Sequence, residues 1–245
     1  MKWFQVGDKN LEYYDDLLIM ADTGLHDQVA SLLIELNDKA RTNNEILVLD
    51  IAAGEGALSK RIQDIGFTVE AVDLIGQAFK HSKTIPFHEI DLNDSNAWNH
   101  FVTSNKEHYD IIISVETIEH LENPWSFLRG LKELVKPDGH IILTTPNIES
   151  PFSKMLFFSN NRFYQFMEKD LIYGHINQLT TFELNIICKK IGLIIESTYS
   201  GGTYPVIWLK KNILFSIAWS GINIIALAFA EKTNYSIVKI YIIKK

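Results

Sequence analysis

The chain is 245 residues long, 47% hydrophobic and 22% charged, with a formal net charge of −7. That length suits one domain with insertions and a sizeable core, and the composition excludes a disordered or fibrous chain. The acidity, with no basic run longer than two residues, argues against a nucleic-acid partner, whose phosphates call for clustered Lys and Arg.

Residues 1–45 precede the first strand candidate. The opening MKWFQVGDKNLEYYDD has no apolar h-region and no cleavage-site pattern, so no signal peptide is expected. LLIMADTGLHDQVASLLIEL carries apolar residues at helical spacing and predicts one or two helices, an N-terminal helical cap over 1–45. Strand candidates then follow at 46–51, 68–73, 85–90, 110–115, 140–145, 193–198 and 236–243, with helical stretches such as GALSKRIQDIG and PWSFLRGLKELVKPDG between them. Strands alternating with helices predict an α/β, doubly wound Rossmann-like sheet over 46–245. No standard crossover helix separates the last two strands, so the final one is expected to be antiparallel. The single Cys188 lies in an apolar helical pattern, reads as a buried small side chain, and suggests a cytosolic chain.

The first strand ends in LDIAAGEGAL. Asp50 closes it, Gly54 and Gly56 make the turn, and a helix is expected near Ala57, whose free N–H groups suit a carboxylate or phosphate. Asp73 ends the second strand, where an acid can accept from both ribose hydroxyls. Asp91 ends the third, where it can accept from an adenine amino group. A dinucleotide loop wants a third glycine, and Ser59 stands at that position.

Asp50-Ile51-Ala52-Ala53-Gly54-Glu55-Gly56 resembles the first motif of the class I S-adenosylmethionine-dependent methyltransferases, acid-x-Gly-x-Gly-x-Gly, with Ala52 in place of the first glycine. Asp73 matches that family's ribose-binding acid, and Asp91 with Leu92 its adenine-contacting pair. The resemblance covers roughly 46–199 and the last strand. It implies a seven-stranded sheet with an antiparallel final strand, and S-adenosylmethionine held by Asp50, Ala52, Gly54, Gly56, Asp73, Asp91 and Leu92.

After the fourth strand comes ETIEHLENP. Asn123 and Pro124 read as N-cap and N1 of a new helix, so Glu116–Leu121 is a separate turn beyond the strand's carboxyl end, where α/β sheets bind ligands. On a helical turn Glu116, Glu119 and His120 share a face. They fit a metal site, an acid/base pair, or a polar turn with Glu116 on the cofactor. His175, in YGHINQLTTFEL, is the candidate fourth member. The pattern resembles two methyltransferase groups, the ubiquinone-biosynthesis O-methyltransferases and the small-RNA 2′-O-methyltransferases. Both carry E-x-x-E-H and a later histidine. In the second group those four residues hold a divalent metal, which by position implies Glu116, Glu119, His120 and His175 and favours Mg²⁺ or Mn²⁺. Without a metal, Glu116 and His120 are the catalytic candidates.

The Phe- and Tyr-rich insertion near 150–175 is expected to form a lid or a locally packed element. Residues 212–230 carry no charge. Because a strand of the sheet follows them, an interfacial or dimer-forming helix fits better than a span. The sequence therefore predicts methyl transfer to a small-molecule, glycan or lipid-linked acceptor, at a hydroxyl. It also predicts contact with the inner membrane face through 205–232, or a homodimer. A non-catalytic membrane-peripheral subunit, or an N- or C-methyltransferase without metal, is the other reading.

Overall fold

A computed structural model describes residues 3–5, 11–40, 45–76, 78–207 and 213–245. Before the main sheet come β1 (Trp3–Gln5), β2 (Glu12–Tyr14), β3 (Leu17–Ile19) and α1 (Leu25–Ala40). Then β4 (Leu47–Ile51), α2 (Ala57–Asp64), β5 (Thr68–Asp73), β6 (Phe87–Glu89), α3 (Ser95–Ser104) and β7 (Tyr109–Ser114) lead to a 3-10 turn at Ile118–His120. The second half runs α4 (Pro124–Leu134), β8 (Val135–Pro146), α5 (Pro151–Asn160), a 3-10 segment at Glu168–Tyr173, α6 (Thr181–Ile191) and β9 (Ile194–Gly201). It closes with β10 (Tyr204–Ile207), α7 (Ile213–Ala228) and β11 (Val238–Lys244).

The seven-stranded sheet has the order β6-β5-β4-β7-β8-β11-β9. The pairs from β6 to β8 are parallel, and β11 is antiparallel to both β8 and β9, as the sequence predicts. The central strands are continuous apolar runs because both faces are covered. One face packs Trp98, Phe127, Leu131, Leu184 and Ile187 of α3, α4 and α6. The other packs Leu25, Val29, Leu58, Ile62 and Phe152 of α1, α2 and α5. The local signals work as expected: the Asn123 side chain accepts from the Ser126 amide ahead of Pro124, and Cys188 is buried.

The N-terminal cap has one helix among its described residues, within the expected one or two, but Leu17–Ile19 at the head of the expected helical stretch is a strand paired with β2. Asp15, with φ of 52°, makes the turn between them, and Leu17 and Ile19 bury by strand alternation against Ala57. Turn chemistry thus overrides helical spacing. The hairpin lies over the glycine loop: the Leu18 amide donates to Glu55 (2.9 Å), and Met20 Sδ sits 3.5 Å from where a Gly54 Cβ would be.

Ala52 has φ of 62°, a left-handed conformation that costs an L-residue with a Cβ about 1–2 kcal/mol. Its amide still donates to Val72 O at 2.8 Å, so β5 holds the turn closed. Ala52→Gly is therefore expected to raise stability by about 1 kcal/mol after the added unfolded-state freedom is subtracted. The readout is a higher urea midpoint at unchanged m value. An unchanged or lower midpoint would mean this turn stores no strain.

Candidate active site

The carboxyl ends of β4, β5, β6 and β7 gather the sequence-predicted residues. Asp50 is buried under the loop, and the Ser59 hydroxyl on α2 donates to it at 2.6 Å. Burial pushes its carboxyl up to about 7, with the Ser59 hydrogen bond opposing and the charge of Asp73 adding. Asp50 thus shapes the loop from below. Gly54 and Gly56 adopt φ of 57° and 93°, and a Cβ on Gly56 would come within 2.8 Å of the Phe79 ring. Gly56 caps α2, leaving the helix N-terminus open toward the cleft. Asp73 accepts from the Gly54 amide at 2.7 Å and, on its other oxygen, from the Leu74 amide at 2.7 Å. The Ile75 amide reaches that second oxygen too, at 3.4 Å, so Asp73 ties the loop to β5 and keeps its spare acceptor capacity mainly on the oxygen that Gly54 meets. Asp91 is exposed and accepts from the Asn93 amide at 2.8 Å, while Leu92 packs partly into the core. Asn93 in turn accepts from the Glu122 amide at 2.9 Å, joining this corner to ETIEHLENP.

Glu116 follows β7 with φ of 50°, and its amide donates to Thr144 Oγ1 at 2.9 Å. Glu119, on the 3-10 turn, is fully buried. Thr145 donates to its Oε2 at 3.0 Å, while Oε1 has no hydrogen-bond partner among the described residues. Burial pushes this carboxyl up to about 8, against the Thr145 hydrogen bond. His120 Nε2 lies 4.0 Å from that same Oε1, and burial lowers the pKa of the imidazole despite carbonyls nearby. The His175 segment arrives from the insertion and is pinned: the Ile176 and Asn177 amides both donate to Glu119 O at 2.9 Å. The Asn177 side chain donates to Leu121 O. The His120 and His175 rings meet edge to face, centroids 4.6 Å apart.

Glu119, His120 and His175 offer ligand atoms within 4.8 Å of one another. Three of the four candidate ligands therefore converge. Glu116 is not in that group. It lies toward Tyr164 of the insertion, whose phenol is pushed up by desolvation and by Asp22, Asp170 and Glu116 nearby. The donor set fits a divalent cation, since two imidazoles and a buried carboxylate oxygen would otherwise leave a desolvated polar atom uncompensated. Sequence reasoning missed Thr144 and Thr145; their signal is two polar residues closing the apolar run HIILTT.

The model of one protein family, described as a methyltransferase domain, matches residues 23–198. The chain belongs to this family. Among curated proteins, it is 32% identical over 123 residues to a ubiquinone biosynthesis O-methyltransferase of Glaesserella parasuis, covering 47% of this chain and 51% of that one. A Caulobacter protein of the same name is 33% identical over 120 residues, 46% of each chain. The methyltransferase described here thus spans about half the length of these relatives. Its fold resembles that of a SAM-dependent methyltransferase from Archaeoglobus fulgidus, with a TM-score of 0.58, 16% identity, and coverage of 90% and 94%. It also resembles magnesium protoporphyrin IX methyltransferase from Synechocystis with bound S-adenosylhomocysteine, with a TM-score of 0.57, 15% identity, and coverage of 98% and 90%. By family the chain carries a methyltransferase domain, and its fold is shared with these S-adenosylmethionine-type enzymes; its glycine loop, Asp73 and the Gly56-capped helix end would fit such a cosubstrate.

Asp73→Ala removes both the loop tether and the candidate ribose acceptor. Calorimetric affinity for S-adenosylhomocysteine is expected to drop about 100-fold, the loss of two charge-assisted hydrogen bonds. Unchanged affinity would remove Asp73 from the site. Asp50, with its raised folded-state value, holds a proton between about pH 4 and 7 that the unfolded chain has lost. Its contribution is therefore present at low pH and lost as pH rises toward 7. The stability difference between the protein and Asp50→Asn should change by roughly 1 kcal/mol per pH unit in that window, and a pH-independent difference in urea unfolding would contradict the buried, protonated carboxyl.

Proposed function

We propose that this methyltransferase moves the methyl group of S-adenosylmethionine to a hydroxyl oxygen, with a divalent cation such as Mg²⁺ or Mn²⁺ held by Glu119, His120 and His175. The observation that carries this reading is the buried Glu119 Oε1, without a hydrogen-bond partner among the described residues, beside two imidazoles at the carboxyl end of the sheet. A divalent cation at such a place lowers the pKa of a hydroxyl and fixes its oxygen. The protein's own part is to orient. Asp73, Asp91 and the glycine loop hold the cosubstrate, the two amides on Glu119 O keep His175 in place, and Glu116 stands at the acceptor side with Tyr164. In the transfer, the hydroxyl oxygen takes the methyl carbon, the sulfonium becomes the neutral thioether, and the hydroxyl proton leaves to a base or water.

The curated relatives, ubiquinone biosynthesis O-methyltransferases by name, support oxygen as the methylated atom. The acceptor is a small molecule, a glycan or a lipid-linked compound rather than a nucleic acid, in keeping with the net charge of −7. We place the enzyme in the cytoplasm. A second reading has support in the lowered pKa of His120, which keeps the imidazole neutral and able to accept the acceptor's proton without a metal. In that reading nitrogen and carbon acceptors return. A non-catalytic subunit with this fold is the third, and turnover of any acceptor in a methyl-transfer screen removes it.

The deciding measurement is calorimetric titration of Mn²⁺ into EDTA-stripped protein saturated with S-adenosylhomocysteine. Saturable binding is expected, weakened at least about tenfold in Glu119→Ala and in His175→Ala, the usual cost of removing a ligand or its support. An intact protein that binds no Mn²⁺ would sink the metal reading and leave His120 as the base.

A further inference from the structure

α7 is inside out. A surface helix of a soluble domain turns its apolar stripe to the core and its polar residues to water. Here the buried positions are Ser216 and Asn223, 3% and 2% exposed, with Trp219 between them packed partly against the core. Ser220 shares that inward face. The outward positions are apolar: Leu214 is 75% exposed, Ile217 64% and Phe229, one residue past the helix, 88%, with Ile222, Ile224 and Ile225 also exposed. At 100° per residue, Leu214, Ile217, Ile222, Ile224, Ile225 and Phe229 cover an arc of about 160°. No Asp, Glu, Lys or Arg occurs from Ile213 to Ala230. α5, which packs against α7, adds Phe158, 93% exposed. No described helix is long and apolar enough to cross a membrane.

We infer that α7 is a membrane-docking helix, lying in the interface of a lipid bilayer with its outward face immersed and its polar stripe against the protein. This inference goes beyond the proposed chemistry and does not depend on the metal or the acceptor. Shape and charge choose the lipid over a second copy of the chain. The arc is convex and wider than the stripe one partner helix covers, whereas lipid wraps a half-cylinder. A protein interface of this kind carries a polar rim, and the outward arc has none. The flanking exposed charges include Lys154 and Arg162 around α5 and Lys232 after α7, which suit anionic headgroups. Glu231 beside Lys232 partly offsets them, so burial of the apolar face is the main attraction.

The test is co-sedimentation of the whole protein with vesicles of phosphatidylethanolamine and phosphatidylglycerol, and with phosphatidylcholine alone. The chain should pellet with both, more with the anionic mixture. The triple variant I217D/I225D/F229D changes exposed positions only and should bind vesicles at least about tenfold more weakly while its calorimetric affinity for S-adenosylhomocysteine stays unchanged. Ile217→Trp gives a readout that does not rest on loss: the emission this variant adds over the parent protein should shift to the blue on vesicles and be quenched by brominated acyl chains. The inference is overturned if the protein stays in the supernatant and the added emission of Ile217→Trp does not move, whether the chain elutes as a monomer or as a dimer that the triple variant splits. The second result would assign the face to a second copy.

Discussion

β11 hydrogen-bonds along both edges, antiparallel to β8 and to β9, and the second half of the chain is arranged around that pairing. The strand is last in sequence but internal in the sheet. Whatever lies between β9 and β11 must leave the sheet and come back to it, so α7 is an excursion over the surface. The register puts Lys239 opposite Thr145, the residue that holds Glu119. The nearly buried Lys239 ammonium donates to Glu149 and to Thr181, whose hydroxyl also meets Tyr241. Glu149 feels burial upward but is held below its ordinary value by Lys239 and Thr181. Glu149 and Thr181 are the two ends of the insertion that carries His175. One partly buried ion pair therefore closes the loop on which the third candidate ligand rides, and removing Glu149 would leave the buried Lys239 ammonium without its counter-charge.

Around the cleft the fold gives up stability in several places at once. Ala52 and Glu116 sit at left-handed φ without being glycine, and Asp50 and Glu119 are buried carboxyls with raised values. Each is unfavourable alone. Each carboxyl is partly offset by a hydroxyl donor, Ser59 on Asp50 and Thr145 on Glu119, and each lies at the carboxyl end of the sheet, where the proposed sulfonium and cation would add positive charge.

Much of this was legible in the sequence because it is local. The apolar runs give the strands, the acids at their carboxyl ends mark the cleft, Gly54 and Gly56 mark the turn, and Asn123-Pro124 starts α4 where expected. What was not legible depends on distant partners. Leu17–Ile19 belongs to a hairpin because Asp15 turns the chain and Ala57 receives the side chains. The pairing of β1 with β10 joins segments far apart in the chain, Trp3 in register with Tyr204. The uncharged stretch 212–230 announces an unusual helix, but only packing shows that Ser216, Ser220 and Asn223 face inward. Lys210 and Lys211, within the stretch 205–232 expected to meet the membrane, lie with the rest of 208–212 outside the described residues.

The separation of Glu116 from the other three candidates has a similarly long-range cause. The i, i+3, i+4 spacing puts Glu116, Glu119 and His120 on one face only if the segment is a continuous α-turn. Here Glu116 has left-handed φ and only 118–120 form a 3-10 turn, so the shared face is lost. β8 then fixes where each glutamate goes. Successive strand residues point to opposite faces: Ile141 and Leu143 pack with α3, α4 and α6, while Ile142 packs with α1, α2 and α5. Thr145 continues the first series and Thr144 the second. Glu119 follows Thr145 to one side of the sheet and Glu116 follows Thr144 to the other, toward Tyr164 and the insertion. Two carboxylates three residues apart are thereby given different neighbours, one beside two imidazoles and one toward Tyr164, the side proposed for the acceptor. A division of labour between a cation-holding acid and an acceptor-facing acid is what that strand geometry permits.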